Sequence, residues 1–109
     1  MAREKIAIKA SQACFFNFRA NESLTADRVI SASEIQQFQG FYFTPTASRN
    51  CDLPAEEVCA GALILIKNAA GGAYTLTVRD DAAGTVVALT QGQCGLIACN
   101  GTAWFEVSS

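Results

Sequence analysis

Apolar and polar residues alternate with a period of two along much of this chain, the spacing that sends every second side chain of a strand to one face. Ile6 and Ile8 alternate with Lys5, Ala7 and Lys9, which predicts a strand with one wet face. Ala13 to Arg19 carries Phe15, Phe16 and Phe18 and predicts a second, aromatic-rich strand. Asn21 to Thr25 is polar and reads as a loop. The pattern changes once, at Ser31 to Phe38. There Ser31 and Glu34, or Ser33 and Gln36, have capping-box spacing, and Ile35 and Phe38 would share a helical face.

Gly40 is expected to end that short helix, and Phe41 to Thr44 to form a strand. Pro45 and Pro54 bracket Thr46 to Leu53, an extended segment expected at a sheet edge because proline cannot donate to a ladder. Ala62 to Lys67 is an apolar run suited to a strand buried on both faces. Asn68 to Gly72 reads as a turn in which Gly71 and Gly72 supply positive φ. Tyr74, Leu76 and Val78 then alternate with Thr75, Thr77 and Arg79. Asp81 to Gly84 turns the chain into a strand at Thr85 to Leu89, and Gln91-Gly92 turns it again. Cys94 to Cys99 and Ala103 to Val107 are the last two strands. Asn100-Gly101 joins them as a type I′ hairpin signal.

Short strands separated by regular turns predict an all-β domain. The expected architecture is an antiparallel β-sandwich or a barrel-like (jelly-roll-like) domain with at most one short helix. Residues 1–20 are expected to form an N-terminal arm and 21–109 a single β body.

Composition narrows the function. Of 109 residues, 50% are hydrophobic and 17% charged, enough to fill a core and to leave apolar side chains outside it. The net charge is −2 with no run of Lys and Arg, which argues against nucleic acid as a partner. The longest apolar run, Ala62 to Ile66, falls far short of the ~20 residues of a membrane span. A charged start with no apolar stretch behind it predicts synthesis in a cytosol.

The five cysteines (Cys14, Cys51, Cys59, Cys94 and Cys99) form no CxxC pair, and the chain has no histidine. A zinc site and a disulfide framework both fit poorly, and buried thiols acting as small apolar side chains fit better. Cys94 and Cys99 would face opposite ways on one strand.

The catalytic inventory is thin. Without histidine, the Ser-His-Asp and Cys-His arrangements are ruled out. The carboxylates Glu56, Glu57, Asp80 and Asp81 could in principle work as a glycosidase-like pair or offer oxygens to Ca²⁺. Their positions beside turns point instead to solvated carboxylates. No catalytic residue, metal, cofactor or small-molecule substrate is expected. Gly71-Gly72 opens no helix and precedes no GK[ST], so it is no phosphate cradle.

Pro45-Thr46-Ala47, Asn50-Cys51-Asp52-Leu53-Pro54, Gly61 with Ile66-Lys67-Asn68, Thr75-Leu76-Thr77-Val78, and Asn100-Gly101-Thr102 with Trp104 follow one another in a familiar order. Together they resemble a β-rich module of tailed-bacteriophage structural proteins, which include capsid decoration (cement) proteins and distal tail-fibre pieces. The likeness covers roughly residues 31–109. Cys51, Cys94 and Cys99 depart from it, standing where apolar or threonine residues are more usual.

The resemblance implies a virion protein, made in the host cytoplasm, that binds the major capsid protein on the outside of a phage head, commonly as a homotrimer. Lys5, Ile6, Ile8 and Lys9 of the arm are the expected capsid contacts, through strand addition to a partner's sheet. The rival expectation is a tail or fibre component that binds a host-surface carbohydrate through Tyr42, Tyr74 or Trp104. A small carboxylate hydrolase is the third.

Overall fold

The computed structural model describes residues 17–107. It is mostly β. Two mixed sheets share one hydrophobic core, and neither closes into a barrel. The first sheet has five strands in the order β1 (Glu22–Leu24), β3 (Gly40–Pro45), β5 (Leu63–Asn68), β8 (Cys94–Cys99) and β9 (Trp104–Glu106). The second has four, in the order β2 (Arg28–Val29), β4 (Arg49–Asp52), β6 (Leu76–Arg79) and β7 (Thr85–Leu89).

The expected antiparallel pairing holds for only part of the chain. β5–β8, β8–β9 and β6–β7 are antiparallel, whereas β1–β3, β3–β5, β2–β4 and β4–β6 are parallel. The cause is topological. From β1 to β6 each strand belongs to the sheet opposite its predecessor, so strands two apart return to the same sheet in the same direction. Hairpin reasoning works only where consecutive strands pair, which begins at β6.

The short helix α1 (Ala32–Gln37) starts as its sequence dictates. Ser31 Oγ accepts from the Glu34 N–H at 3.2 Å, and Glu34 Oε1 accepts from the Ser31 N–H at 3.0 Å. The alternative Ser33/Gln36 box is not used. Ile35 is buried, while Phe38 leaves the helix in an extended conformation and meets Phe41 edge-on at 6.4 Å.

Several local expectations change. Asn21 to Thr25 contains β1 rather than a loop, and β4 is an interior strand between β2 and β6 rather than an edge. Asn68 does not begin an exposed turn; it ends β5 fully buried. β5 is buried on one face only, since Leu63 is 45% exposed while Ile64 and Ile66 are enclosed.

Neither Gly71 nor Gly72 has positive φ. At Gly72 a Cβ would lie 3.0 Å from the Tyr74 ring, so close approach is the constraint there. The Asn100-Gly101 turn has positive φ at Gly101 alone. Asn100 Oδ1 instead accepts from the N–H groups of Thr102 and Ala103, both at 2.9 Å, closing a longer loop than type I′.

The core is built from the inward positions of both sheets: Phe41, Phe43, Ile64, Ile66, Ile97 and Trp104 from the first, and Cys51, Leu76, Val78 and Leu89 from the second. Two polar devices tie the sheets together at their margins. At one, Arg28 of β2 bonds Glu22 of β1 (Nε to Oε2, 3.0 Å) and Glu34 of α1 (Nη2 to Oε2, 2.6 Å). Its guanidinium lies 5.7 Å from the Phe43 ring centre. At the other, the Asn68 carboxamide donates to the carbonyls of Tyr74 (3.0 Å) and Leu89 (2.9 Å) and accepts from the Ala70 N–H (3.0 Å).

Candidate interaction surface

Lys5, Ile6, Ile8 and Lys9, the residues expected to meet a capsid, lie outside the described residues, as does Cys14. The four turn carboxylates separate. Asp80 is absorbed by its own turn, its Oδ1 accepting from the N–H groups of Ala82 (3.0 Å) and Gly84 (2.7 Å). The neighbours Glu56 and Glu57 come together with the sequence-distant Asp81, one oxygen from each lying within 4.8 Å of the others. Three such oxygens are about half of what Ca²⁺ takes. Glu57 and Asp81 are exposed and Glu56 half-buried, and none joins an ion pair among the described residues.

The three aromatic candidates do not converge. Trp104 is buried on the inner side of β9 and donates its indole N–H to the Pro54 carbonyl at 2.8 Å, which makes it a core residue. Tyr42 stands on the outer side of β3, and Tyr74 lies in the connection before β6. No common sugar platform forms from them.

What strand register does assemble is an apolar outer face on the five-stranded sheet. Leu63 of β5, Ala98 of β8 and Phe105 of β9 stand opposite one another in one cross-strand row. The next outward row brings Gly40 of β3 beside Leu65 of β5 and Leu96 of β8. Val107 extends it, its N–H bonding the Leu96 carbonyl at 2.7 Å. The third row is Tyr42, Lys67 and Cys94.

Gly40 belongs to this face because the Phe18 ring lies where a side chain would be: a Cβ there would come within 2.6 Å of it. Phe18 also makes a bridge to Gly40. Leu63, Phe105 and Val107 are 45%, 43% and 50% exposed. The sequence carries one signal for this surface that went unread: Lys67 marks the outward parity of β5, and Leu65 and Leu63 share it.

The second sheet's outward positions are more polar. Asp52 and Arg79 are register partners and form a two-pronged ion pair at 2.7 and 2.9 Å. That contact raises the Arg79 pKa. Nearby, Asp27 accepts from the Asn50 backbone N–H at 3.0 Å, which holds its carboxyl below the usual range. The Arg28 guanidinium lowers the Glu34 carboxyl to about 2, and the bonds to Glu34 in turn raise the Arg28 pKa. Each of these groups is held by a hydrogen bond or an ion pair to a neighbouring element.

The thiols follow the same logic. Cys51, Cys59 and Cys99 are buried, Cys94 is exposed, and no disulfide joins the described cysteines. Burial pushes Cys51 up to about 12 and also raises Cys59, the opposite of an activated nucleophile. A shallow cavity of about 320 Å³ lies between α1 and the segment before β5, lined by Ile35, Val58, Cys59 and Ala62 among others. It offers no unpaired charge. No helix among the described residues is long and apolar enough to cross a membrane.

No protein-family model, characterised protein or solved structure matches this chain.

Proposed function

We propose that this protein is a virion structural protein, a capsid decoration (cement) protein that binds the major capsid protein on the outer surface of a phage head. It works as a homotrimer and without enzymatic activity, and its two sheets stack as a β-sandwich around the common core. The observation that supports this best is the apolar outer face of the five-stranded sheet, where Leu63, Phe105 and Val107 remain about half exposed. A surface of that kind on a small domain is a contact surface. Decoration would act by burying area across neighbouring capsid subunits. Repetition around an oligomer supplies avidity without any single tight contact. The arm residues Lys5, Ile6, Ile8 and Lys9 remain the proposed capsid contacts.

The tail-fibre alternative has less support, because its best aromatic candidate, Trp104, is buried with its indole N–H already bonded. The deciding experiment mixes the purified full chain with undecorated DNA-filled heads and, separately, with purified tails. Decoration requires saturable, stoichiometric recovery with heads and increased resistance of those heads to heat. Recovery with tails alone, or with neither, overturns it.

A further inference from the structure

We infer that Cys59 and Cys99 are a redox pair, brought together by the fold as thiols and closed into a disulfide when the chain folds under oxidising conditions. The inference stands apart from the decoration reading. It concerns how the connection from β4 to β5 is fixed to β8, whatever the chain binds.

About 40 residues separate the two cysteines, and three sets of contacts draw them together. A single 3-10 turn, Glu56–Val58, ends at Cys59, whose N–H donates to the Glu56 carbonyl at 3.0 Å. The Cys99 thiol donates to that same carbonyl at 3.4 Å. Those two bonds laid end to end are the most that can separate the Cys59 nitrogen from the Cys99 sulfur.

The backbone doubles back next. The Ala62 N–H donates to the Cys59 carbonyl at 3.0 Å, with Gly61 at φ 86°, the positive value that the third position of a type II turn requires. Cys59 is thereby carried beside Ala62. Ala62 in turn lies against Cys99: the Cys99 N–H donates to the Ala62 carbonyl at 3.0 Å, and the Gly61 N–H to the Cys99 carbonyl at 2.8 Å. The third contact is at Gly101, where an added Cβ would come within 3.2 Å of the Ala60 Cβ. Segments this close suit a disulfide, whose Cα atoms lie about 4.4–6.8 Å apart.

The other described thiols have no such neighbour. Cys94 is exposed at the opposite end of β8, and Cys51 is enclosed on β4 of the second sheet. Cys59 and Cys99 are both buried in the common core. Burial raises the Cys59 pKa, and the neighbouring Cys99 thiol adds to the rise.

The step needs an oxidant, for which a small disulfide such as oxidised glutathione serves. The thiolate of one cysteine breaks the glutathione S–S bond, forming a mixed disulfide and releasing one glutathione, which takes up the proton. The second thiol displaces the other glutathione and forms the Cys59–Cys99 bond. Two thiols are oxidised and one small disulfide is reduced. Both thiols are reachable while the chain folds, and the native contacts then select this partner.

The test unfolds the reduced full chain in urea and dilutes it into mixed oxidised and reduced glutathione. Remaining thiols are alkylated and the links mapped by tandem mass spectrometry. Cys59 should be joined to Cys99 in most molecules, at least about tenfold more often than in the same mixture with urea retained. Closing a loop of this length restricts the unfolded chain, so the urea midpoint of the oxidised chain should exceed that of the reduced chain by about 2 M. Cys59→Ala and, separately, Cys99→Ala should each abolish that difference between oxidised and reduced samples.

Recovery of Cys59 and Cys99 without a bond between them, or preferential linkage of either to another cysteine, overturns the pair. So does an equal yield with and without urea, or a midpoint that oxidation leaves unchanged. Head binding judges the decoration reading separately.

Discussion

Replacing Asn68 with alanine removes a side chain that bonds three backbone groups at once. The carboxamide ends β5 in the first sheet, yet its partners include Leu89 at the end of β7 and Tyr74 ahead of β6, both in the second. Asn68 is 0% exposed and Leu89 and Ala70 are 2% and 7% exposed, so water cannot replace the lost partner at the Leu89 carbonyl or the Ala70 N–H. Each buried group left unpaired costs about 1–3 kcal/mol, and the half-buried Tyr74 carbonyl adds about 0.5–1 kcal/mol. Asn68→Ala should therefore destabilise by about 4 kcal/mol, a large share of the roughly 5–15 kcal/mol expected for a domain of this size. In urea titrations with a slope of about 1.5 kcal/mol/M, the midpoint falls by between about 2 and 3 M with the slope unchanged.

Asn68→Asp sharpens the test. The carboxylate keeps the bond from Ala70 but turns charge toward two carbonyl oxygens, so its folded-state pKa rises above the usual ~3.9. A raised folded pKa means that the stability is present below the unfolded pKa and is lost as pH rises through the folded one. The gap to wild type should widen by about 1.4 kcal/mol per pH unit above ~4 until the folded pKa is reached. A loss under about 1 kcal/mol for Asn68→Ala, or a pH-independent gap for Asn68→Asp, refutes the idea that this side chain joins the sheets.

Arg28→Met should cost about 1–2 kcal/mol, because Glu22 and Glu34 lose one of the two guanidinium groups they share in a half-buried site and keep only Arg19. Glu34 is held at about 2, below its ordinary 4.5. Its pairing thus stabilises the wild type above about pH 4.5, and that contribution disappears as pH falls toward 2; acid unfolding curves should show this slope reduced in Arg28→Met. In a Cys14→Ser chain at low concentration, a disulfide thiol reagent should find one fast thiol, Cys94, with Cys51, Cys59 and Cys99 reacting only on unfolding; a second fast thiol contradicts their burial. Gly40→Ala should destabilise by about 1–2 kcal/mol by displacing the Phe18 ring. The same change in a Phe18→Ala background should cost measurably less, and equal costs in the two backgrounds would remove the proposed stacking.

What the sequence made legible depended on how local each determinant is. The start of α1 was readable because Ser31 and Glu34 bond each other within one turn. β6 to β9 were readable because alternation and turns act between neighbours in the chain. β1 and β2 have three and two residues, too short for any period to register, and they exist only because β3 and β4 pair with them. Asn68 looked like a turn residue because its burial rests on carbonyls 6 and 21 residues away. Glu56 and Glu57 meet Asp81 only because β4 and β6 are register partners, with Asp52 opposite Arg79. The outer face was missed for a related reason. The run Leu63 to Ile66 has no polar residue to break its symmetry, and only Lys67 tells its two sides apart.

The parallel pairing explains why no crossover between the paired strands covers that face. Parallel strands in most proteins are joined by helices that cross over the sheet, so both faces end up covered. In this chain the connections from β1 to β3 and from β3 to β5 pass instead through strands of the opposite sheet. The second sheet covers the inner side of the first, where Phe41, Phe43, Ile64 and Ile66 lie, and none of these crossovers spreads a helix over the outer side. α1, on the path from β2 to β3, puts Ile35 into the common core. A parallel β1–β3–β5 arrangement of this kind leaves Leu63 and Leu65 on a surface that the chain's own crossovers leave uncovered. Replacing the 45% exposed Leu63 with a polar residue should therefore leave the unfolding midpoint of the isolated chain nearly where it was.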